Sequence, residues 1–404
     1  MNQPPSCSRR LFLFLLAAIF VLVAGNAANA ANAPYTVIAI VDGPRGSEFL
    51  EEPGRPHCPT LDGVLIPGGS FLPNFLAAGE TKTLPGHAAI LTGCEQPLAN
   101  DGTERPSQPT LFEKLRKEKG LPITQTWLVG GKDKFLALGY STHPDYGAAY
   151  QASTNATLRD DVSTYGVATQ VLAQSPPPTL TVIAFSSVDL LGHAGDWPGY
   201  LSAITVVDSL LGELWSFIES DPVLGGNTNL FITSDHGRHL DSVGGFQEHG
   251  DTCDGCRRLP FVALGPDIKS GASSTKIRRQ EDVETTVAYL MGLIQGPITS
   301  GFVMSEILVN PPVVSTEDTY GPRLPVAQPN PFRFTTRLVA SQPMTSMEVF
   351  DIRGGQIYAV EKAPSRSWVW SGTSFSGAAV GAGLYWVRLN GPESNQIVRV
   401  TLLP

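Results

Sequence analysis

Thr36-Val37-Ile38-Ala39-Ile40-Val41-Asp42-Gly43 is a run of six apolar or β-branched residues that stops at an acid and a glycine. It does not alternate polar with apolar, so both faces of the strand it predicts are buried. The same pattern returns twice. Leu180–Phe185 runs into Ser186-Ser187-Val188-Asp189-Leu190-Leu191-Gly192-His193, and Leu230–Thr233 runs into Ser234-Asp235-His236-Gly237. Helical spacing lies between these runs, at Leu111–Lys119 and at Tyr200–Ile218, where Ile204, Val207, Leu211, Leu214 and Ile218 recur on one face. Strands alternating with helices predict an α/β fold with a mostly parallel central sheet and helices on both faces. Ligands bind beyond the carboxyl ends of strands in such sheets, so the polar residues that end these runs are where chemistry is expected.

Composition bounds the classes of function. The 404 residues are 42% hydrophobic and 16% charged, which is globular and long enough for more than one domain. A net charge of −9 without basic clusters argues against binding a nucleic-acid polymer. The longest apolar run, Leu11–Ala24, has 14 residues and is too short to span a bilayer. It follows Ser8-Arg9-Arg10 and precedes Ala28-Asn29-Ala30, which together predict a cleaved signal peptide over residues 1–30. Ser8-Arg9-Arg10-Leu11-Phe12-Leu13 also resembles a twin-arginine signal, although paired arginines are common in ordinary ones. Either route predicts a secreted, periplasmic or cell-surface protein. Cys7 would leave with the signal. Cys58, Cys94, Cys253 and Cys256 remain, an even number in an oxidising compartment, and disulfides Cys253–Cys256 and Cys58–Cys94 are expected. A single C-x-x-C without a second pair argues less for zinc.

Between residues 309 and 332 the composition shifts to Pro, Val, Thr and Gly, which predicts a linker over 309–325. Short alternating stretches follow, at Arg333–Val339, Ser346–Ile352, Gln356–Val360, Trp368–Trp370, Gly383–Leu389 and Gln396–Leu403. Gly354-Gly355 and Asn390-Gly391 supply turns, so residues 326–404 are expected to form a small all-β sandwich. The main domain is expected over 34–308.

The acids that end the strands gain meaning together. Asp42 alone is equally a helix cap. Thr83, in Thr81-Lys82-Thr83-Leu84-Pro85-Gly86-His87, sits where helix amides would favour an oxyanion or a bound phosphate, and equally where a plain N-cap would sit. Asp189 and His193, four apart, can reach one ion; Asp235 and His236 are adjacent ligands, and His249 follows in Glu248-His249-Gly250. Isolated buried histidines do not explain so many coincidences at strand ends.

The set Asp42, Thr83, Asp189/His193, Asp235/His236 and His249 resembles the alkaline phosphatase superfamily, over roughly Tyr35 to Leu308. Within it, Thr83-Leu84-Pro85-Gly86-His87 and Asp189-x-x-x-His193 are most similar to the nucleotide pyrophosphatase/phosphodiesterase branch. The resemblance implies two divalent ions, both zinc. One would be held by Asp42, Asp235 and His236 beside the nucleophile Thr83, the other by Asp189, His193 and His249. Mixed imidazole and carboxylate ligands suit zinc independently. It further implies hydrolysis of a small phosphoryl substrate through a phospho-Thr83 intermediate. Thr83 stands where sulfatases need Cys or Ser, and the serine motifs of phosphoglycerate mutases and periplasmic monoesterases are missing. Lys132 and Lys134, in Gly131-Lys132-Asp133-Lys134-Phe135, resemble the lysine pair that meets substrate anions in phosphonoacetate hydrolases; a solvated helix start is the plainer alternative. Asn100 resembles the oxyanion-donating asparagine of the phosphodiesterase branch, at a shorter spacing from Thr83. Arg238, after Asp235-His236-Gly237, is expected to be structural rather than to face phosphate.

Gln328-Pro329-Asn330-Pro331-Phe332, Val349–Gly354 and Gly383–Leu389 resemble the FlgD-type immunoglobulin-like domain, also found in C-terminal sorting domains of type IX secretion. This implies engagement of export or cell-surface machinery, or a plain stability or adhesion module. Three readings of function follow: a phosphodiesterase-like enzyme, a phosphonate hydrolase or phosphomonoesterase, and a catalytically silent surface-binding protein.

Overall fold

The structure is a computed structural model and describes residues 32–293, 299–312, 326–328, 330–391 and 395–404. The expected signal peptide and residues 313–325 of the expected linker lie outside the described residues. Among the described residues, eleven strands precede residue 309: β1 (Tyr35–Val41), β2 (Ser70–Phe71), β3 (Phe75–Leu76), β4 (Thr126–Gly130), β5 (Ser153–Ala156), β6 (Leu180–Phe185), β7 (Thr228–Ser234), β8 (Arg258–Leu259), β9 (Phe261–Leu264), β10 (Ala272–Ser273) and β11 (Arg278–Arg279). Eight of them make one sheet in the order β10-β2-β9-β7-β1-β6-β4-β5, while β11, β3 and β8 make a small side sheet. From β7 to β5 every pairing is parallel, and β9 runs antiparallel to β7. The three apolar runs are thus the three adjacent central strands. Their register aligns Val41 with Phe185 on one side and with Ser234 on the other, so the polar residues that follow emerge side by side. β4 joins the same edge, with Gly130 opposite Ala184, and delivers Lys132 there. The motif-based reading of Lys132 contained no strand at 126–130.

The helices are α1 (Ile66–Gly68), α2 (Thr83–Thr92), α3 (Leu111–Lys119), α4 (Asp161–Leu172), α5 (Ser187–His193), α6 (Trp197–Ser220), α7 (Asp254–Arg257) and α8 (Glu281–Leu290). Ile38 and Ile40 of β1 face the layer of α2, α3 and α8, while Val37, Ala39 and Val41 face α4 and α6. Each central strand is buried on both faces, which is why its sequence does not alternate. Local signals fix the helix ends. Thr110 and Glu113 form a reciprocal capping box at α3, Gly120 ends it in the left-handed region, and the Asp196 carboxylate accepts the Gly199 N–H at the start of α6.

Strands β12 (Val326–Gln328), β13 (Thr336–Phe350), β14 (Gln356–Trp370), β15 (Gly383–Asn390) and β16 (Asn395–Leu402) form a separate antiparallel sheet. Its own core includes Leu338, Trp368, Trp370, Val387 and Val400. The region is all-β, as its alternation implied, but with fewer and longer strands. Register shifts between Val339 and Ser346 carry β13 through a break that the residue pattern had placed between two strands.

The expected disulfides do not form: none of Cys58, Cys94, Cys253 and Cys256 is cross-linked. Cys58 packs in the core that carries α4 and α6, whereas Cys94 lies against Lys114 and Glu284 of α3 and α8, on the opposite face of the sheet. A sheet between two thiols forbids the approach that a bridge requires. Cys253 and Cys256 are neighbours whose sulfurs lie within 4.8 Å.

Candidate metal centre and active site

Asp42 extends β1, and Asp235 and His236 extend β7; all three are fully buried. Gly43 turns the chain away from β1 at φ +67°, and a Cβ there would meet the Asp189 carboxylate at 2.9 Å. The Asp189 helix is anchored from outside. Asp161 accepts the N–H groups of Ser186 (2.7 Å) and Ser187 (3.1 Å), which caps α5 and holds Asp189 in its first turn. Arg238 is fully buried and donates to Gly43 O, Phe246 O and Gln247 O as well as to the Asp189 carboxylate. It positions a candidate ligand, in keeping with the structural role expected of it.

Two groups of ligand atoms converge, each with its atoms within 4.8 Å of one another: Asp42, Asp235 and His236, and Asp189, His193 and His249. These are the groupings that the family resemblance implied. Backbone carbonyls set the imidazole tautomers. His236 Nδ1 lies 2.9 Å from Gly237 O and His249 Nδ1 2.8 Å from Thr81 O, so each Nδ1 carries a proton and turns its Nε2 toward the site; burial opposes charge on His236, but Asp235 and Asp42 outweigh it and raise its pKa. His236 Nε2 faces Asp42 Oδ1 at 3.3 Å and Asp235 Oδ2 at 3.5 Å, two buried oxygens without a hydrogen-bond donor. His193 Nε2 and His249 Nε2 are 3.0 Å apart, with Asp189 Oδ1 at 3.4 and 3.6 Å from them. Orphaned buried oxygens and converging imidazole nitrogens are a donor set that a cation completes.

Thr83 is the first residue of α2, and its Oγ1 lies 3.5 Å from His236 Nε2. It is not the N-cap: Lys82 holds that position and caps nothing with its side chain. Asn100 does so instead, its Oδ1 accepting the Leu84 N–H at 2.8 Å, which leaves its NH2 without a protein acceptor among the described residues. Gly86 lets the helix close onto β7, because a Cβ there would sit 2.1 Å from Asp235 O. His87 was passed over in the sequence. Its Nδ1 bonds Thr83 O at 2.9 Å and lies 3.2 Å from Asp235 Oδ2 without bonding it, so it packs the start of α2 beside a candidate ligand. A histidine four residues after Thr83 on a predicted helix was the available signal.

The two lysines part company. Lys132 is buried, with its ammonium 2.7 Å from Asp42 Oδ2 and 2.5 Å from Asp189 Oδ2, so it bridges the two ligand groups. Lys134 lies 3.4 Å from Asn100 O and 3.5 Å from Asn100 Oδ1, beside the helix end. The expected pair facing a substrate therefore reduces to Lys134. Burial pushes Asp42 upward, but Lys132 and His236 outweigh it and hold its carboxyl well below the usual range. Burial opposes charge on Lys132, yet Asp42 and Asp189 raise its pKa further. Burial, aided by His236, pushes the His249 imidazole down to about 3, and burial also lowers His193. Both imidazoles are therefore neutral near pH 7, as metal ligation requires. Lys134 is lowered by burial.

A family model for the metalloenzyme superfamily matches residues 59–295, and the chain belongs to that superfamily. Among curated relatives, it is 27% identical over 158 residues to a 2,3-bisphosphoglycerate-independent phosphoglycerate mutase from Haloarcula marismortui, a match covering 36% of this chain and 29% of that protein. The chain thus spans less than a third of the length of that relative. Among solved structures, the murine ectonucleotide pyrophosphatase/phosphodiesterase 5 is similar at TM-score 0.52 and 13% identity, covering 68% of this chain and all of that one. A 2-O GAG sulfatase gives 0.54 at 14% identity over 84% of this chain and 85% of that one. A protein in the alkaline phosphatase superfamily from Vibrio parahaemolyticus gives 0.50 at 16% identity over 82% and 85%. The fold is alkaline phosphatase-like.

Proposed function

We propose that the chain is an exported two-metal phosphohydrolase that acts on phosphodiesters or related small phosphoryl compounds through a phospho-Thr83 intermediate. The observation that carries this reading is a threonine hydroxyl at a helix N-terminus, 3.5 Å from the imidazole of one of two groups of imidazole and carboxylate side chains. Asp42, Asp235 and His236 would hold one ion, and Asp189, His193 and His249 the other. Zinc bound there supplies positive charge that makes the Thr83 proton easier to lose and neutralises phosphoryl oxygens.

The chain's own groups do the rest. Thr83 Oγ1 attacks phosphorus as the bond to the leaving oxygen breaks, and the N-terminal end of α2 favours the anion held against it. Asn100, its Oδ1 fixed by the Leu84 N–H, offers its NH2 to a non-bridging oxygen. Lys132 keeps Asp42 and Asp189 ionised, and Lys134 offers its ammonium to a further anionic group. The proton lost from Oγ1 passes through solvent to the leaving oxygen; water then attacks phospho-Thr83, its hydroxyl bonding phosphorus as the P–Oγ1 bond breaks and its second proton going to Oγ1.

Lys134 beside Asn100 favours one alternative, a phosphonate hydrolase whose substrate carries a second anion. The phosphomonoesterase and silent-binder readings have no such feature. Export by the N-terminal segment, and a surface or export-machinery role for the C-terminal strands, belong to the same proposal. Steady-state hydrolysis of nitrophenyl phosphate monoester, diester and sulfate by zinc-loaded full chain, with phosphonoacetate as a fourth substrate, tests it. Diester preference is the expected result. Monoester or phosphonate preference would move the enzyme to the alternatives, sulfate preference would overturn the assignment of Thr83, and a folded chain that takes up no metal would be a silent binder.

A further inference from the structure

Three residues beyond His236 and two beyond His249, the chain assembles a cluster that the proposed reaction does not use. His239, Asp251, Cys253 and Cys256 bring their ligand atoms within 4.8 Å of one another. His239 Nε2 is buried without a hydrogen-bond partner, and the Asp251 carboxylate lies 3.2 Å from it. A buried imidazole nitrogen left this way costs free energy unless something binds it.

Backbone geometry builds the cluster. The N–H of Gly237 donates to Cys256 O at 2.8 Å, and that of His239 to Glu248 O at 3.0 Å, so the two arms of the 237–256 loop run side by side. They approach so closely that a Cβ on Gly237 would sit 2.1 Å from Gly255 O. Cys253 is the N-cap of α7, its own N–H donates to Asp251 Oδ1 at 2.9 Å, and one helical turn brings Cys256 back beside it. Two sulfurs, an imidazole and a carboxylate make a four-donor set of the kind that takes zinc and discriminates against magnesium or calcium. Zinc with sulfur ligands at about 2.3 Å spaces neighbouring donor atoms about 3.8 Å apart, within the span seen here.

We propose that His239, Asp251, Cys253 and Cys256 form a third metal site, a structural zinc site at the neck of the loop that carries His249. On binding, the two thiols release their protons to solvent and ligate as thiolates, with His239 neutral and Asp251 ionised; no oxidation is involved. The site closes the loop whose other contacts hold His249. Thr81 Oγ1 donates to Asp251 O at 2.7 Å, and Thr81 O accepts from His249 Nδ1 at 2.8 Å, so the clip bears on both a candidate ligand and the segment before Thr83. It does not depend on the proposed reaction, since it is read from residues outside that centre.

Cobalt substitution of the reduced full chain tests it, because only thiolate ligands give a near-ultraviolet sulfur-to-cobalt charge-transfer band and the other two ligand groups hold only oxygen and nitrogen. The expected result is that band, with one more metal ion per chain than in a Cys253→Ser/Cys256→Ser variant, which also loses the band. The absence of the band from fully metallated wild type would overturn the site, whether or not the serine variant folds. So would a Cys253–Cys256 disulfide in protein purified with excess zinc and mapped without reduction. Turnover with nitrophenyl esters enters none of these readouts, so the fate of the catalytic proposal is decided separately.

Discussion

The two ligand groups beside Thr83 differ in how the fold holds them. Asp42, Asp235 and His236 leave adjacent strands and are fully buried, closed over by Gly86 and His87 of α2. Asp189, His193 and His249 come from a short helix and a loop, and the His193 side chain is 43% exposed. Ligands on strand ends share the rigidity of the sheet. Ligands on helix and loop depend on what anchors them, here Asp161, Arg238 and the carbonyl of Thr81. A nearly preformed site thus stands beside one that is more open and more easily altered.

The largest effect should come from Thr83, beside the buried group. If Thr83 is the nucleophile we propose, Thr83→Ala should cut turnover by roughly 10⁴-fold or more while leaving the metal content unchanged, because it removes no candidate ligand. Metal analysis alongside single-turnover kinetics checks this; substantial residual activity would remove Thr83 from the role. The contrast itself is sharpened by pairing Asp42→Asn with His193→Asn. The first should cost about 10³-fold or more and resist added zinc, and the second about 10–100-fold, largely recovered at high zinc. Equal losses with equal rescue would break the distinction between the two groups.

Lys132 probes the bridge from one group to the other. Lys132→Met leaves buried Asp42 without its ammonium and Asp189 with Arg238 alone, so metal-free protein should lose about 3–5 kcal/mol, and zinc-saturated protein clearly less. Urea unfolding with and without zinc measures the difference. The last effect is read on the pH dependence of stability rather than on turnover, in the frame behind the site. Burial, with Glu95 nearby, raises the Glu281 carboxyl to about 8. A carboxyl raised above its unfolded value stabilises fully below that value, and the contribution drains away as pH rises toward the folded pKa. Thermal midpoints should therefore fall between about pH 4.5 and 8, and Glu281→Gln should flatten that slope. An unchanged slope would place the pH dependence elsewhere.

Much of this centre was legible in one dimension. Asp42, Asp189 and Asp235 could be placed because each ends an uninterrupted apolar run, and parallel strands in register must deliver their ends to one edge. The partition into two ligand groups was what the family resemblance implied. What escaped reading depends on contacts between distant positions. Lys132 lies 90 residues from Asp42 and 57 from Asp189, and nothing near it in sequence told that its ammonium rests on carboxylates rather than on substrate. The cysteines carried a misleading signal: an even count suggested pairing, yet a whole sheet separates Cys58 from Cys94. In the C-terminal region alternation gave the β class, while strand length depended on pairing that continues across irregular register.

Sequence alone determined the α/β class, the three central strands and the residue types at their ends, because burial on both faces and helical spacing are written locally. Tertiary structure decided which carboxylates face an imidazole nitrogen, which ammonium is spent on them, and that His239, Asp251, Cys253 and Cys256 meet. Those outcomes depend on distances between chain segments far apart in sequence, and packing and register set such distances.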